Sequence, residues 1–549
     1  MSFVHRSALA ASLTFLALPA VANAGDAIRQ LSILSRPQAA QPQEYQAIQL
    51  MAQEWKKLGL DIKIEVQPWE QMSDFVWSSR DKWDMTGWQM AGRPERSDPD
   101  ELLYNLFHSS TAVDGYNFVG YINPDYDKVV TAQREETDPE KRKALVFSAQ
   151  EMLARDQPII NLVYPRLAFA FNKKIWDESS VVDQAGVGIK NFWTFISLKP
   201  LGEQKDIIVN AADAVTFINP LYVSGPVDSW VTELVWDRLL RVGPDGLPKP
   251  WAAESYNWVD ATTIDVTLKA GMKWHDGTPV TTDDVIFSFT LPQGDKAPMY
   301  KPFVSNIASI EKVGDNGLRF KLKAPSAAFL TTTLAKVNLI PKAVWEPKIK
   351  AMEGKPDTAE MIQEDKPIGS GPFKFVSWTK NEEIVLEANP DHFAAPKAAR
   401  WILRAVSNTE ASLGMLKSGE INFLSEYTGD PKVLEELLAS SPDLTMVNTI
   451  DLGFRYIGMN ERRAPFDDVA FRNALSTAID RKLIVGAAFK GYAVPANSVI
   501  SPVLSYWHDP AVDGMVTGLD AARKILEDAG YTIVDGKLHY PDGKSDTVK

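Results

Sequence analysis

None of the 549 residues is a cysteine, so no disulfide can staple this chain and its fold must be held by packing and hydrogen bonding. One core does not grow to that length. With 45% of residues hydrophobic, the chain has enough apolar surface to build two or three lobes. The same absence removes thiolate metal ligands and cysteine nucleophiles. A formal net charge of -13 opposes binding to nucleic acid or to an anionic membrane surface, and no basic run offsets it.

Met1 to Ala24 carries His5 and Arg6, the apolar run ALAASLTFLALPAVA and the small-x-small end Ala22-Asn23-Ala24. This reads as a cleavable secretory signal, with the mature chain starting near Gly25. Its apolar part is too short to span a bilayer, and no later window approaches about 18 apolar residues. There is no lipid-attachment cysteine either. The expectation is a free periplasmic protein.

EYQAIQLMAQEWKKLGL, from residue 44, places Ile48, Met51, Ala52, Trp55 and Leu58 on one helical stripe ahead of Gly59, and DIKIEV then alternates as a strand. Helix, glycine turn and strand make half of an α/β unit, with the strand's end aimed at whatever the lobe binds. WDMTGW reads as a further strand. DPEKRKALVFSAQEMLAR, residues 138–155, predicts a helix, with IINLVYP and LAFAF after it as two short strands. The polar stretch GEQKD, residues 202–206, separates these from a new strand, IIVNAA. Residues 235–290, with VGPDGLP and WHDGTP, suit a hairpin-rich insert, and 467–485 predicts one helix with Val469, Phe471, Ala474, Leu475 and Ile479 on a face.

Signals for enzymatic chemistry are poor. Gly543-Lys544-Ser545 resembles the tail of a phosphate loop, but the position five residues before Gly543 is Leu538 rather than glycine. No G-x-S-x-G or H-E-x-x-H occurs, and the six histidines are scattered. His275 and Asp276 fall in a hairpin turn, where Asp and Gly serve backbone geometry. Asp283-Asp284 and Asp467-Asp468 precede helices and read as caps. No catalytic residue, metal ion or cofactor is expected.

Seven strings together resemble one family. LKAGMKWHDGTPVTTDDVIFSF, IGSGPFKFVSW with EANPDHF, YIGMNERRAPFDDVAFRNALSTAIDRKLI, AARKILEDAGY, LGLDIKIEVQPWEQM, SDPDELLYNLF and INPDYDKVV are similar to ABC-transporter extracytoplasmic solute-binding proteins of family 5, the peptide and nickel class. The order differs from the family's: there the equivalent of residues 205–549 comes first and that of 27–200 follows. The resemblance therefore implies an α/β, two-lobed periplasmic binding protein of type II with an extra subdomain, circularly permuted. The second lobe is expected from 25–150 and 450–549, the first lobe from 151–240 and 366–449, and the inserted subdomain from 241–365. The implied role is a monomeric receptor that takes a peptide or peptide-sized solute to an inner-membrane ABC permease. A secreted hydrolase of peptides or oligosaccharides is the alternative.

By the same resemblance Trp69 and Trp88 approach the ligand, and flat rings suit a crevice that grips apolar or sugar-like faces. Trp77 and Trp83 read equally well as core. In peptide-binding members of the family, an Asp shortly after the equivalent of Trp88 pairs with the peptide's α-ammonium group. Here Gln89, Met90, Ala91 and Gly92 follow, then Arg93, Pro94, Glu95 and Arg96. A second acidic position of the family falls on Ser224 or Gly225. A buried ammonium would thus lack its partner, unless Glu95 or Asp98 folds inward. Arg93 offers instead a planar fork for a carboxylate or phosphate, which raises an anionic, opine-like or sugar-containing solute. Arg93 and Arg96 read equally as surface partners of Glu95 and Asp98. Met90 and Arg455, the latter beside YIGMN, complete the expected ligand-binding set.

Overall fold

Residues 159–172 read as two strands divided at Pro165, but they form one strand of 14 residues. It is the common element of a twelve-stranded sheet that runs through both lobes. A computed structural model describes residues 25–223, 225–427 and 429–546, so the expected leader lies outside the described residues. Nine strands position the site: β1 (Leu31–Ser35), β2 (Ile62–Val66), β3 (Met85–Met90), β4 (Ile159–Asn172), β5 (Asp206–Ala211), β6 (Arg400–Ala405), β7 (Phe423–Leu424), β8 (Leu444–Ile450) and β9 (Phe454–Met459). Three helices matter as well: α1 (Pro42–Lys56), α2 (Trp69–Ser78) and α3 (Pro99–Phe107).

Pro165 does not break β4 because its missing N–H falls between two ladders. Pairing with β9 ends at Val163, pairing with β8 begins at Arg166, and the Pro165 carbonyl accepts the Asp451 N–H at 2.9 Å. Before Pro165 the strand belongs to the second lobe, in the order β2-β1-β3-β9-β4. After it the strand belongs to the first lobe, beside β8 and β7, with β5 and β6 beyond. Among the described residues the chain passes between lobes at two places, inside β4 and between Ile450 and Phe454. Helix Pro139–Asp156 packs Val146, Ala149 and Leu153 with Leu103 and Tyr126, so the second lobe extends past the expected limit at 150, to Pro165.

The second lobe has a core drawn from both ends of the chain. Ile28, Leu31, Ile33 and Trp55 pack with Phe471, Leu475, Leu538 and Tyr540, and the Trp55 indole donates to the Leu475 carbonyl at 2.9 Å. Gly25 N–H reaches Tyr540 O at 3.1 Å, Ile28 N–H reaches Leu538 O at 2.9 Å, and Leu538 N–H reaches Gly59 O at 3.0 Å. Residues 467–485 form two helices rather than one, because the Asp480 carboxylate accepts the Leu483 N–H at 3.0 Å and starts a second helix. Val469 is exposed as a result of its place in the first turn.

The first lobe packs Phe169, Val209, Val231, Trp401 and Phe423. Its inserted subdomain is an antiparallel sheet within residues 253–322 over Phe289, Phe320 and Leu339. Ile340, Trp345 and Ala359 pack in the first lobe's core instead, so the subdomain's own core ends near Leu339, short of the expected 365. His275 fastens the insert to the lobe: its Nε2 lies 3.0 Å from Gly371 O and its Nδ1 accepts the Gly369 N–H at 3.3 Å. That pattern is the neutral ring, and burial pulls its pKa down to about 4.

Two outcomes are expected. Residues 201–205 are exposed, so a chain opened there and relinked from 546 to 25 should keep every core and melt within a few degrees of the parent; a molten product would contradict this packing. An unfolded histidine titrates near 6.5, so the stability that neutral His275 contributes is complete above that pH and is lost as pH falls toward about 4. The loss should reach about 3 kcal/mol, read as a difference in pH slope between urea melts of the parent and His275→Asn.

Candidate functional site

Strand directions place the site. β1, β2 and β3 are mutually parallel, β9 is antiparallel to β3, and β4 is antiparallel to β9. The carboxyl ends of β1, β2 and β3 therefore point the way β4 runs, toward Pro165. In the first lobe β6 and β7 are parallel to β5, and β7 is antiparallel to β4. Their carboxyl ends point back toward Arg166. Both sets thus open on one crevice at the crossings, where ligands bind in open α/β sheets. Away from the crossings the subdomain touches the second lobe, since Ala327 N–H donates to Arg134 O at 2.8 Å.

The second-lobe wall carries Arg36 after β1, Trp69 after β2 and residues 91–97 after β3. Trp69 opens α2 and is 41% exposed. Its ring lies 4.7 Å from that of Trp88 between centroids, with the Arg36 guanidinium 5.3 Å away. Trp88 itself is only 6% exposed, packed on Trp77 and Phe118 with centroids 6.3 Å and 5.2 Å away. It supports Trp69 and presents little surface of its own. Met90 and Trp83 are likewise core.

Arg93 is exposed and its side chain makes no ion pair or hydrogen bond among the described residues. Arg96 donates to Ala91 O. Asp98 does not turn into the crevice: it is buried, caps α3 through Asp100 N–H at 3.0 Å, and holds Arg142 at 2.6 Å. The Glu95 side chain and Ser224 lie outside the described residues. Gly225 caps helix Pro226–Val235, its N–H donating to Asp228 at 3.2 Å.

Arg455 stands in β9 opposite Gln89. Its guanidinium makes no hydrogen bond or ion pair among the described residues. Burial lowers its pKa, opposed by Glu44 and Asp451, while Arg36 adds to the lowering. Arg36 is itself paired with Glu44 and donates to Gln89 at 3.2 Å. Asp451, at the second crossing, accepts Gly453 N–H at 3.0 Å, and burial pushes its carboxyl up. A Cβ on Gly92 would come within 1.9 Å of Asp451 Oδ1 and 3.0 Å of Gly453 N, so any side chain there would have to displace the Asp451 carboxylate.

The first lobe also holds Lys190, which sequence reasoning passed over because nothing in GVGIKNFW marks it. Its ammonium lies 4.0 Å from the Trp230 ring centroid and, like Arg455, it has no ion pair among the described residues. Burial pushes its pKa down to about 8, with Glu426 opposing. Glu426 follows β7 and accepts Ala212 N–H at 2.9 Å. The segment holding Lys190 meets the second crossing, since Leu452 N–H donates to Gly186 O at 3.3 Å.

A cavity of about 1020 Å³ lies elsewhere, at the far end of the second lobe's strands beside Arg80 and Arg462. Its arginines are occupied: Arg80 donates to Ala112 and Gly115 carbonyls at 2.7 and 2.8 Å, and Arg462 to Phe118 and Ala112 carbonyls, both at 2.8 Å. The crevice is the stronger candidate, having unpaired cations and an exposed ring.

The chain is similar to several known proteins. The oligopeptide-binding protein AppA of Bacillus subtilis is 30% identical over 343 residues, 60% of this chain and 60% of that protein. The glutathione-binding protein GsiB of Salmonella choleraesuis is 27% identical over 364 residues, 64% of this chain and 65% of its own. The chain thus spans less than two thirds of either relative. The crystal structure of the substrate-binding protein CtaP from Listeria monocytogenes aligns with a TM-score of 0.48 at 27% identity, covering 60% of this chain and 66% of that one. The family model described as bacterial extracellular solute-binding proteins, family 5 Middle, matches residues 248–548, and the chain belongs to that family.

Proposed function

We propose that this protein is a periplasmic receptor of an ABC importer, closing its two lobes on a peptide or peptide-sized solute and delivering it to an inner-membrane permease. The observation that carries this reading is topological: the carboxyl ends of both parallel strand sets open on one crevice, and only two chain crossings join its walls among the described residues. Such a hinge lets a solute touching both walls stabilise the closed state. Trp69 supplies an exposed ring on one wall. The names of the relatives, an oligopeptide-binding and a glutathione-binding protein, support a peptide-sized occupant.

We also infer that the segment order is a circular permutation of the family's. Support comes from Gly25 to Ile28 lying hydrogen-bonded to Leu538 and Tyr540 in one core, so that relocating one block changes a connection and leaves the packing alone.

The test is a thermal melt of the full chain with a pool of tri- to pentapeptides. Binding at a hundred times Kd adds about 2.7 kcal/mol and should raise Tm, while mass spectrometry recovers the peptides intact. Cleaved peptides, or no shift with any of them, would refute the receptor role. Trp69→Ala is expected to weaken binding by about 1 kcal/mol with little change in the ligand-free Tm, measured by titration of tryptophan fluorescence.

A further inference from the structure

The amide nitrogen that joins Gly25 to Ala24, where the sequence places the leader's cut, belongs to the second lobe's backbone pairing. Gly25 N–H donates to Tyr540 O at 3.1 Å, Tyr540 N–H to Asp26 O at 3.0 Å and Ile28 N–H to Leu538 O at 2.9 Å. Ala27 pairs antiparallel with His539, whose Nδ1 lies 2.9 Å from Gly25 O. The fit around Gly25 is close: a Cβ there would meet Pro541 O at 2.5 Å, Tyr540 O at 2.8 Å and Lys544 O at 3.0 Å. Leu538 and Tyr540 are buried in the lobe's core, and Arg29 is tied to Asp546 at 2.8 Å. This clasp joins positions 514 residues apart, so it cannot close until the C-terminal segment has been made.

We infer that folding of the second lobe gates removal of the leader: the bond after Ala24 is open to a signal peptidase in the unfolded chain and is shut once residues 538–541 dock. The inference presupposes the leader expected from the sequence. Hydrolysis adds the hydroxyl of water to the Ala24 carbonyl carbon and a proton to the Gly25 nitrogen, which departs as an amine. That nitrogen is the one held against Tyr540 O, so the proton donor of a peptidase reaches it only when the clasp opens. A peptidase also needs free backbone groups beside the cut to pair with an extended substrate, and those of Gly25, Asp26 and Ile28 are taken. Cutting the folded precursor therefore proceeds through the open fraction of the clasp. Cleavage before docking leaves the pairing intact, since the Gly25 amine donates to Tyr540 O in place of the amide.

The experiment follows cleavage of the full precursor, folded beforehand, by purified bacterial signal peptidase, with mass spectrometry reading the new terminus. One comparison is a precursor with a short glycine–serine spacer between Ala24 and Gly25. The spacer begins with glycine, so the residues at the cut are unchanged, and it moves the cut outside the clasp. The other is Tyr540→Pro, which removes the donor to Asp26 O and leaves the sequence around the cut alone. A clasp open less than about a tenth of the time slows cleavage about tenfold or more, so the folded parent should be cut at least that much more slowly than the spacer form. Tyr540→Pro should be cut faster than the parent; if it does not fold, the spacer form decides the outcome. Equal rates for the folded parent and the spacer form would overturn the gate. A spacer form that is not cut after Ala24 would overturn the leader and the gate together.

Discussion

Everything in this molecule depends on β4 being shared. A strand that begins against β9 and ends against β8 ties two lobes at a fixed register, and its single direction sets that of every parallel strand on either side. The other crossing, Ile450 to Phe454, runs back antiparallel beside it, joined by the bond from Asp451 N–H to Pro165 O at 2.9 Å. Two adjacent, hydrogen-bonded crossings are the arrangement that a hinge between the lobes requires. Asp451 lies at the second crossing and Arg455 one residue into β9 beyond it.

Much of this was legible because it is local. Of the stripe Ile48, Met51, Ala52, Trp55 and Leu58, all but the half-buried Ala52 are buried as the spacing predicts, and Thr281 with Asp284 forms the capping box that its helix start implies. The Asp276 turn closes on Thr278 N–H at 2.9 Å. What the sequence hid is non-local. Nothing within IINLVYPRLAFAFN says that two partners will take its halves, so Pro165 looks like a stop. β3 is covered on both faces, with five of its six residues buried, so alternation cannot show that Trp88 and Met90 pack inward. Trp69 differs only in opening a helix at the edge. Lys190, Glu426 and Asp451 are far apart in sequence and acquire meaning only when the crossings bring their segments together.

The same constraint sets what a solute must do on the proposed receptor reading. The chain passes between the walls at two adjacent places among the described residues, so a ligand would favour closure only through the part of its interaction that needs both walls at once. Trp69 belongs to one wall and is 41% exposed. Contact with that ring alone would add equally to both states and shift nothing, so on this reading the difference must come from the opposite wall, where the carboxyl ends of β5, β6 and β7 point.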